Sequence, residues 1–337
     1  MINDCEGKQP SADADENHPP CLPRSLTGFE EAIHLCDFLP LCLFHTVTQR
    51  TIMLKLIPIE RRTGLTREEF IENYLKPRKP VVFTDLSKDW PATQKWTFEY
   101  LSENFGDLDV PVVDPNFHLP GAHYMKSHRT MKFGDYLAEI QKGPSKLRVF
   151  LWNIMEHAKG LTNDVSFPTI CDGWADSYPF MFYGGAGSVT GMHYDIDCSH
   201  VFHTHFLTRK HIVLFSPEQG RLLYQHPFTV QGPVNPLEPD YEKYPALDRA
   251  VGYETVLTHG ETLFIPALWW HYIVYVDAGF SLSQRSIDNP FIMTRGLFNI
   301  ARHFVVDKGM NKIAGPEWKK WKEKESYKRA EKAIAEL

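Results

Sequence analysis

Between residues 148 and 286, short apolar runs and apolar/polar alternations follow one another: RVFLWNI, FMFYG, SVTGMHYDID, VFHTHFL, KHIVLF, YETVLT, ETLFIP, HYIVYVD and GFSLSQ. Alternation with a period of two sends successive side chains to opposite faces and predicts β-strands. Gly184-Gly185, His259-Gly260 and Ala278-Gly279 punctuate the runs as turns. About eight short strands spaced in this way predict a closed double-sheet jelly roll. Residues 225–248, rich in proline and poor in apolar residues, are expected to form a long surface loop at the barrel mouth.

On either side the period becomes helical. Thr66 and Glu69 have capping-box spacing, and Phe70, Ile71, Tyr74 and Leu75 share a helical face that ends before Pro77. KPVVFTD and DVPVVD read as strands. Thr97 caps a helix carrying Phe98, Leu101 and Phe105, and Phe133, Tyr136, Leu137 and Ile140 mark another. Residues 53–147 are therefore expected to be an α+β scaffold and residues 148–290 the barrel. The last part, residues 291–337, returns to helix. Asn289-Pro290 starts one on which Leu297, Phe298, Ala301, Phe304 and Val305 share a face until Gly309 stops it. Pro316 opens a last helix of mixed charge, with Trp318 and Trp321 docked on the body or on a partner subunit. Residues 1–52 are polar and acidic, the composition of a disordered leader, and the functional protein is expected to start at Met53.

Composition narrows the class. A chain of 337 residues buries a sizeable core, and a formal charge of −6 gives no support to bulk nucleic-acid binding. Four of the six cysteines fall within the first 42 residues and no C-x-x-C occurs, which argues against a zinc ribbon or redox motif. The early apolar stretch over residues 35–44 is broken by Asp37 and Pro40 and is too short to span a bilayer. A cytoplasmic protein with no membrane partner is expected.

The candidate chemistry lies in the barrel strands. His193 and Asp195 are two apart on a strand, so an imidazole and a carboxylate point the same way. His271 follows in the run PALWWHYIVYV. Two histidines and a carboxylate form the ligand set of a non-haem Fe(II) centre with open positions, although H-x-D alone also fits ordinary packed side chains. Thr190 stands three residues before His193, and Lys210 begins the next strand but one. A hydroxyl and a cation near such a centre suit the far carboxylate of a dicarboxylic cosubstrate. Cys198 reads as a small core thiol. His200, His203, His205 and His211 read as surface or barrel-lining residues rather than a second metal site.

The segments VTGMHYD, RKHIVLFSPEQ and GYETVLTHGETLFIPALWWH resemble the Jumonji-C oxygenases of the cupin superfamily, among them the asparaginyl hydroxylase that acts on hypoxia-inducible factor and related bacterial cupin-like proteins. The similarity covers roughly residues 55–290. It implies a mostly β protein with flanking helices, built on a double-stranded β-helix that binds Fe(II) through His193, Asp195 and His271. It further implies that 2-oxoglutarate chelates the iron while Lys210 and Thr190 hold its far carboxylate. Oxygen and the keto acid are then consumed, giving succinate and carbon dioxide, as a substrate carbon is oxidised. Three departures concern the surroundings. Phe150 stands where the hydroxylase has a tyrosine, and the asparagine expected after H-x-D is missing, with Ser199 or His200 nearby. Arg285 replaces a late asparagine and either clamps cosubstrate or an acidic substrate, or forms a salt bridge on the rim. Tyr183, Trp269, Trp270 and Tyr272 either line the pocket or pack the barrel, and packing is expected for most of them.

The function expected is an Fe(II)- and 2-oxoglutarate-dependent dioxygenase that hydroxylates a protein side chain or a small molecule. The alternatives are a metal-binding cupin scaffold without turnover, a cupin isomerase or dioxygenase needing no keto acid, and a Jumonji-type demethylase. A homodimer through the C-terminal helices is a further expectation.

Overall fold

The structure is a computed structural model that describes residues 54–113, 127–175 and 179–337. The leader expected over residues 1–52 and the start at Met53 lie outside the described residues. Six strands precede the barrel: β1 (Lys55–Pro58), β2 (Arg61–Arg62), β3 (Val81–Phe83), β4 (Asp109–Val113), β5 (Ser127–Lys132) and β6 (Arg148–Trp152). Eight build it: β7 (Phe180–Gly184), β8 (Val189–His193), β9 (His200–Phe206), β10 (Lys210–Phe215), β11 (Val251–Leu257), β12 (Thr262–Ile265), β13 (Trp270–Tyr275) and β14 (Gly279–Ser286). The helices are α1 (Arg67–Phe70), α2 (Pro91–Lys95), α3 (Phe98–Phe105), α4 (Phe133–Gln141), α5 (Pro290–Arg302) and α6 (Lys308–Ala335). One sheet has the order β1-β11-β10-β13-β8, the other β2-β3-β12-β9-β14-β7-β6-β4-β5. The N-terminal strands thus extend the edges of the jelly roll.

Strand alternation divides the apolar residues into an inside and two outsides. Ile212 and Leu214 of β10, Leu263 and Ile265 of β12, Val201 of β9 and Ile273 of β13 form one buried cluster between the sheets. Their neighbours in sequence face outward. Met181, Tyr183, Phe206, Phe280 and Leu282 pack under α2, α3 and α4. On the other sheet, Met192, Val213, Trp270 and Tyr272 pack under the segment after β10 and the C-terminal helices. Of the four aromatics considered as pocket lining, Tyr183, Trp270 and Tyr272 therefore pack the outer faces, and Trp269 joins the inner cluster.

Local signals hold at the helix starts. Thr66 and Glu69 close a reciprocal capping box on α1, which continues as a π-turn over Ile71–Leu75. Thr97 accepts from the Tyr100 amide at the head of α3, and Asn289 accepts from Ile292 at the head of α5.

Two expectations fail. The segment over residues 225–248 is no simple surface loop, because Val234, Tyr244, Ala246 and Leu247 are buried in the outer core with Tyr224. Nor does Gly309 end the helix begun at Asn289-Pro290, because α5 passes through a π-turn straight into α6. Instead, α6 runs through it and breaks at Gly315, where φ is 44° and Pro316 follows. A glycine ends a helix by taking the left-handed conformation; Gly315 takes a positive φ and Gly309 does not.

The apolar face of α5 and of the π-turn after it (His303–Asp307) points outward. Leu297, Phe298, Phe304 and Val305 are all exposed, while Gly296 and Asn299 are turned inward. A Cβ on Gly296 would meet the Asp197 carbonyl oxygen at 2.2 Å, so the close approach selects the small residue. Trp318 docks on the body: its indole donates to Asp307 Oδ1 at 2.9 Å, and it stacks on Trp321 beside Phe228. Among the described residues no helix is long and apolar enough to cross a membrane.

Candidate active site

The barrel interior carries polar groups at two ends of one axis. At the first end, β13 pairs with β8 so that His271 lies directly opposite His193. One ligand atom from each of His193, Asp195 and His271 lies within 4.8 Å of the others. The imidazoles are oriented by backbone: His193 Nδ1–H donates to the Gly191 carbonyl at 2.8 Å, and His271 Nδ1–H donates to the Trp269 carbonyl at 3.1 Å. That fixes the tautomer and leaves each Nε2 lone pair for a metal. Burial pushes the His193 imidazole down to about 3, helped by neighbouring His271, and burial lowers His271 as well. Both are neutral at ordinary pH, as metal ligands must be. Burial works against the Asp195 charge, but the Arg285 guanidinium outweighs it and holds the carboxyl below its usual range.

Arg285 belongs to this end. It donates to Asp195 at 3.2 Å, to both oxygens of Asp197 at 3.1 and 3.2 Å, and to Ser199 Oγ at 2.9 Å. Of the roles open to it in sequence, the structure displays the salt bridge, made with a candidate metal ligand. Ser199 therefore stands on Arg285, whereas His200 faces Arg78 and Asp288. His211 pairs with Glu254 across to β11 at 2.9 Å, away from the triad. Cys198 is a buried free thiol, as its reading as core required.

At the second end, Lys210 is buried and donates to His203 Nε2 at 2.8 Å, Ser281 Oγ at 2.8 Å and Tyr275 OH at 3.1 Å. All three partners are neutral acceptors. Burial drives the ammonium well below its usual range, and nearby Arg148 adds to the effect. Thr190 joins this end by a bulge. In a regular strand, residues three apart face opposite ways, yet β8 spends three residues from Thr190 to His193 where β13 spends two from Ile273 to His271. Both side chains consequently turn inward.

β14 links the two ends. Ser281 bonds Lys210, Ser283 accepts from His203 at 2.7 Å, and Arg285 bonds Asp195, at alternate positions on one strand face. His203 and His205, read as barrel-lining, both lie on the inward face of β9. Sequence reasoning missed Arg148, Tyr275, Ser281 and Ser283. A charged or hydroxyl residue recurring at the inward parity of an otherwise apolar strand was the available signal.

The cupin-like domain family matches residues 66–292, and the chain belongs to that family. It is similar to lysine-specific demethylase 8 of Xenopus tropicalis, at 30% identity over 230 residues, covering 64% of this chain and 50% of the relative. It is also similar to tRNA wybutosine-synthesizing protein 5 of Gallus gallus, at 29% over 239 residues, 65% of this chain and 74% of that one. The JmjC domain-containing protein D of Dictyostelium discoideum is 27% identical over 242 residues, 64% and 53% of the two chains. The chain thus spans about half the length of two of these three relatives.

Proposed function

We propose that the protein is an Fe(II)- and 2-oxoglutarate-dependent dioxygenase that hydroxylates a protein side chain or a small molecule in the cytoplasm. The observation that supports this reading most is the pairing, inside one barrel, of a two-histidine, one-carboxylate cluster with a buried lysine that has only neutral partners among the described residues. The donor set fits Fe(II): both imidazoles are neutral, oriented, and present Nε2. Bound iron would supply the oxygen chemistry, coupling conversion of the keto acid to succinate and carbon dioxide with oxidation of a substrate carbon. The chain's own part is positional. His193, Asp195 and His271 would hold the metal, Arg285 keeps Asp195 ionised and aimed, and Lys210 with Thr190 would anchor the far carboxylate.

Succinate release measured with and without iron, 2-oxoglutarate and oxygen tests the proposal. Release that needs all three supports it; none with any substrate class, nor in uncoupled turnover, leaves a metal-binding scaffold. The relatives named as demethylases motivate a second reading, oxidation of an N-methyl carbon, and formaldehyde among the products would separate it from hydroxylation.

The outward face of α5 and of the turns after it supports a partner as well. Phe291, Met293, Leu297, Phe298, Phe304, Val305 and Ile313 are 48 to 82% exposed. Such side chains present roughly 700 Å² of apolar surface, near the roughly 800 Å² per partner of a standard interface. We propose a second copy of this chain as the occupant, in a two-fold contact that uses the same patch twice. Light scattering should give a dimer that Leu297→Glu with Phe298→Glu converts to monomer; a monomeric parent protein at micromolar concentration overturns it.

A further inference from the structure

The strand β6 places two side chains toward the Lys210 end. Val149 packs in the outer cluster, so Arg148 and Phe150, one residue to either side, turn the other way. Arg148 is 1% exposed. Its Nη1 donates to Thr190 Oγ1 at 2.7 Å, and its guanidinium lies 4.9 Å from the Tyr275 ring centre and 5.8 Å from that of Phe150. The Lys210 ammonium lies 4.2 Å from the same Tyr275 ring. Arg148 is paired in register with Gly184 on β7, where a Cβ would stand 2.8 Å from the Tyr275 ring. A glycine there lets the arginine, the tyrosine and the lysine share one small space. Past Phe150 the strand bulges, with Leu151 at φ 54°.

We propose that Arg148 is a second cationic anchor for the far carboxylate of the cosubstrate, acting beside Lys210 and through Thr190. The inference rests on the 2-oxoglutarate reading above and adds a residue to it. Because the Thr190 hydroxyl accepts from Arg148, its own proton is left to donate to a carboxylate. A guanidinium offers a planar pair of donors that an ammonium lacks, so the two cations together select a carboxylate over an amide or methyl terminus. Phe150 supplies no hydroxyl at this end, and Arg148 supplies the polar contact from two residues earlier on the same strand face.

The test compares two keto acids of equal chain length, 2-oxoglutarate and 2-oxopentanoate, which lacks the far carboxylate. Each is titrated calorimetrically into Mn(II)-loaded full-length protein, with Lys210→Ala, Arg148→Gln and Arg148→Lys alongside. The parent protein should prefer 2-oxoglutarate by about a hundredfold or more, and Arg148→Gln should cut that preference by about tenfold or more, as loss of a charged hydrogen bond implies. Mn(II) affinity should stay unchanged, and Arg148→Lys should restore part of the preference. The titratable groups facing Lys210 are His203 and His205 on β9, Tyr275 on β13 and Arg148 on β6. Removing the like charge of Arg148 should also move the pH midpoint of 2-oxoglutarate binding upward, since Lys210 then holds its proton more easily; the preference for 2-oxoglutarate over 2-oxopentanoate, which a purely structural arginine leaves unchanged, is the readout that decides. If the parent prefers 2-oxoglutarate, Lys210→Ala loses the preference and folded Arg148→Gln and Arg148→Lys keep it, the inference is overturned while the cosubstrate reading stands. If the parent shows no preference, both fall. Circular dichroism melts identify a variant that fails to fold, and Arg148→Lys, which keeps charge and bulk, then carries the comparison.

Discussion

At the His193 end of the barrel, the charged groups face opposite charges: Asp195 and Asp197 meet Arg285. At the Lys210 end, the ammonium meets an imidazole and two hydroxyls, with a guanidinium nearby. The first arrangement is electrostatically settled before any ligand arrives. The second holds a cation in a place that disfavours its charge, which an incoming carboxylate would relieve. Two sites a few residues apart on the same strands thus differ in the charge that would complete them: a metal cation at one, an anion at the other.

Breaking the first end should have the largest effect. Asp195→Ala removes a candidate ligand and one carboxylate from Arg285, and is expected to abolish iron-dependent succinate release by about a thousandfold or more, with loss of metal on dialysis measured by elemental analysis. Parent-like metal retention would remove the site assignment. At the other end, Lys210→Ala should weaken 2-oxoglutarate binding by roughly tenfold to a hundredfold and leave metal affinity intact, because one charged hydrogen bond contributes about 1.5–3 kcal/mol.

A change of sign sharpens the contrast further. Lys210→Met exchanges a buried, disfavoured cation for an apolar chain, and should raise the stability of the ligand-free protein by about 1 kcal/mol, about 2 °C in melting temperature. The folded-state pKa of Lys210 lies below its unfolded value, so at a pH between the two the unfolded chain binds the extra proton. Stability of the parent therefore rises with pH across the window between those two values, and the advantage of Lys210→Met narrows there. By the same linkage, 2-oxoglutarate binding should take up protons and weaken as pH rises, which calorimetry in two buffers of different ionisation enthalpy detects. Thr66→Ala serves as the smallest perturbation: loss of the α1 cap should cost about 1 kcal/mol in denaturant unfolding and leave both ends of the barrel unchanged.

Much of this was legible in the residues. The barrel strands were marked by alternation or short apolar runs, and the caps at Thr66, Thr97 and Asn289 by side chains that compete locally for backbone amides. His193 and Asp195 were marked by spacing alone. Less legible was residues 225–248, whose prolines suggested a loop but whose Val230 and Gly232 bond to Tyr194 and Met192, walling the edge of β8. Nothing in that stretch announces pairing, because edge pairing uses backbone groups that every sequence carries.

Sequence by itself determined the periodicities, the helix starts and the chemical types available inside the barrel, since these depend on neighbours a few positions away. Tertiary structure decided which of those groups meet. The bulge that turns Thr190 inward, the partners of Arg285, the convergence of Arg148 with Lys210 and the outward face of α5 all depend on strand register and on elements far apart in the chain. Register is set by how whole faces pack, and a shift of one residue along a strand would send each of its side chains to the opposite face.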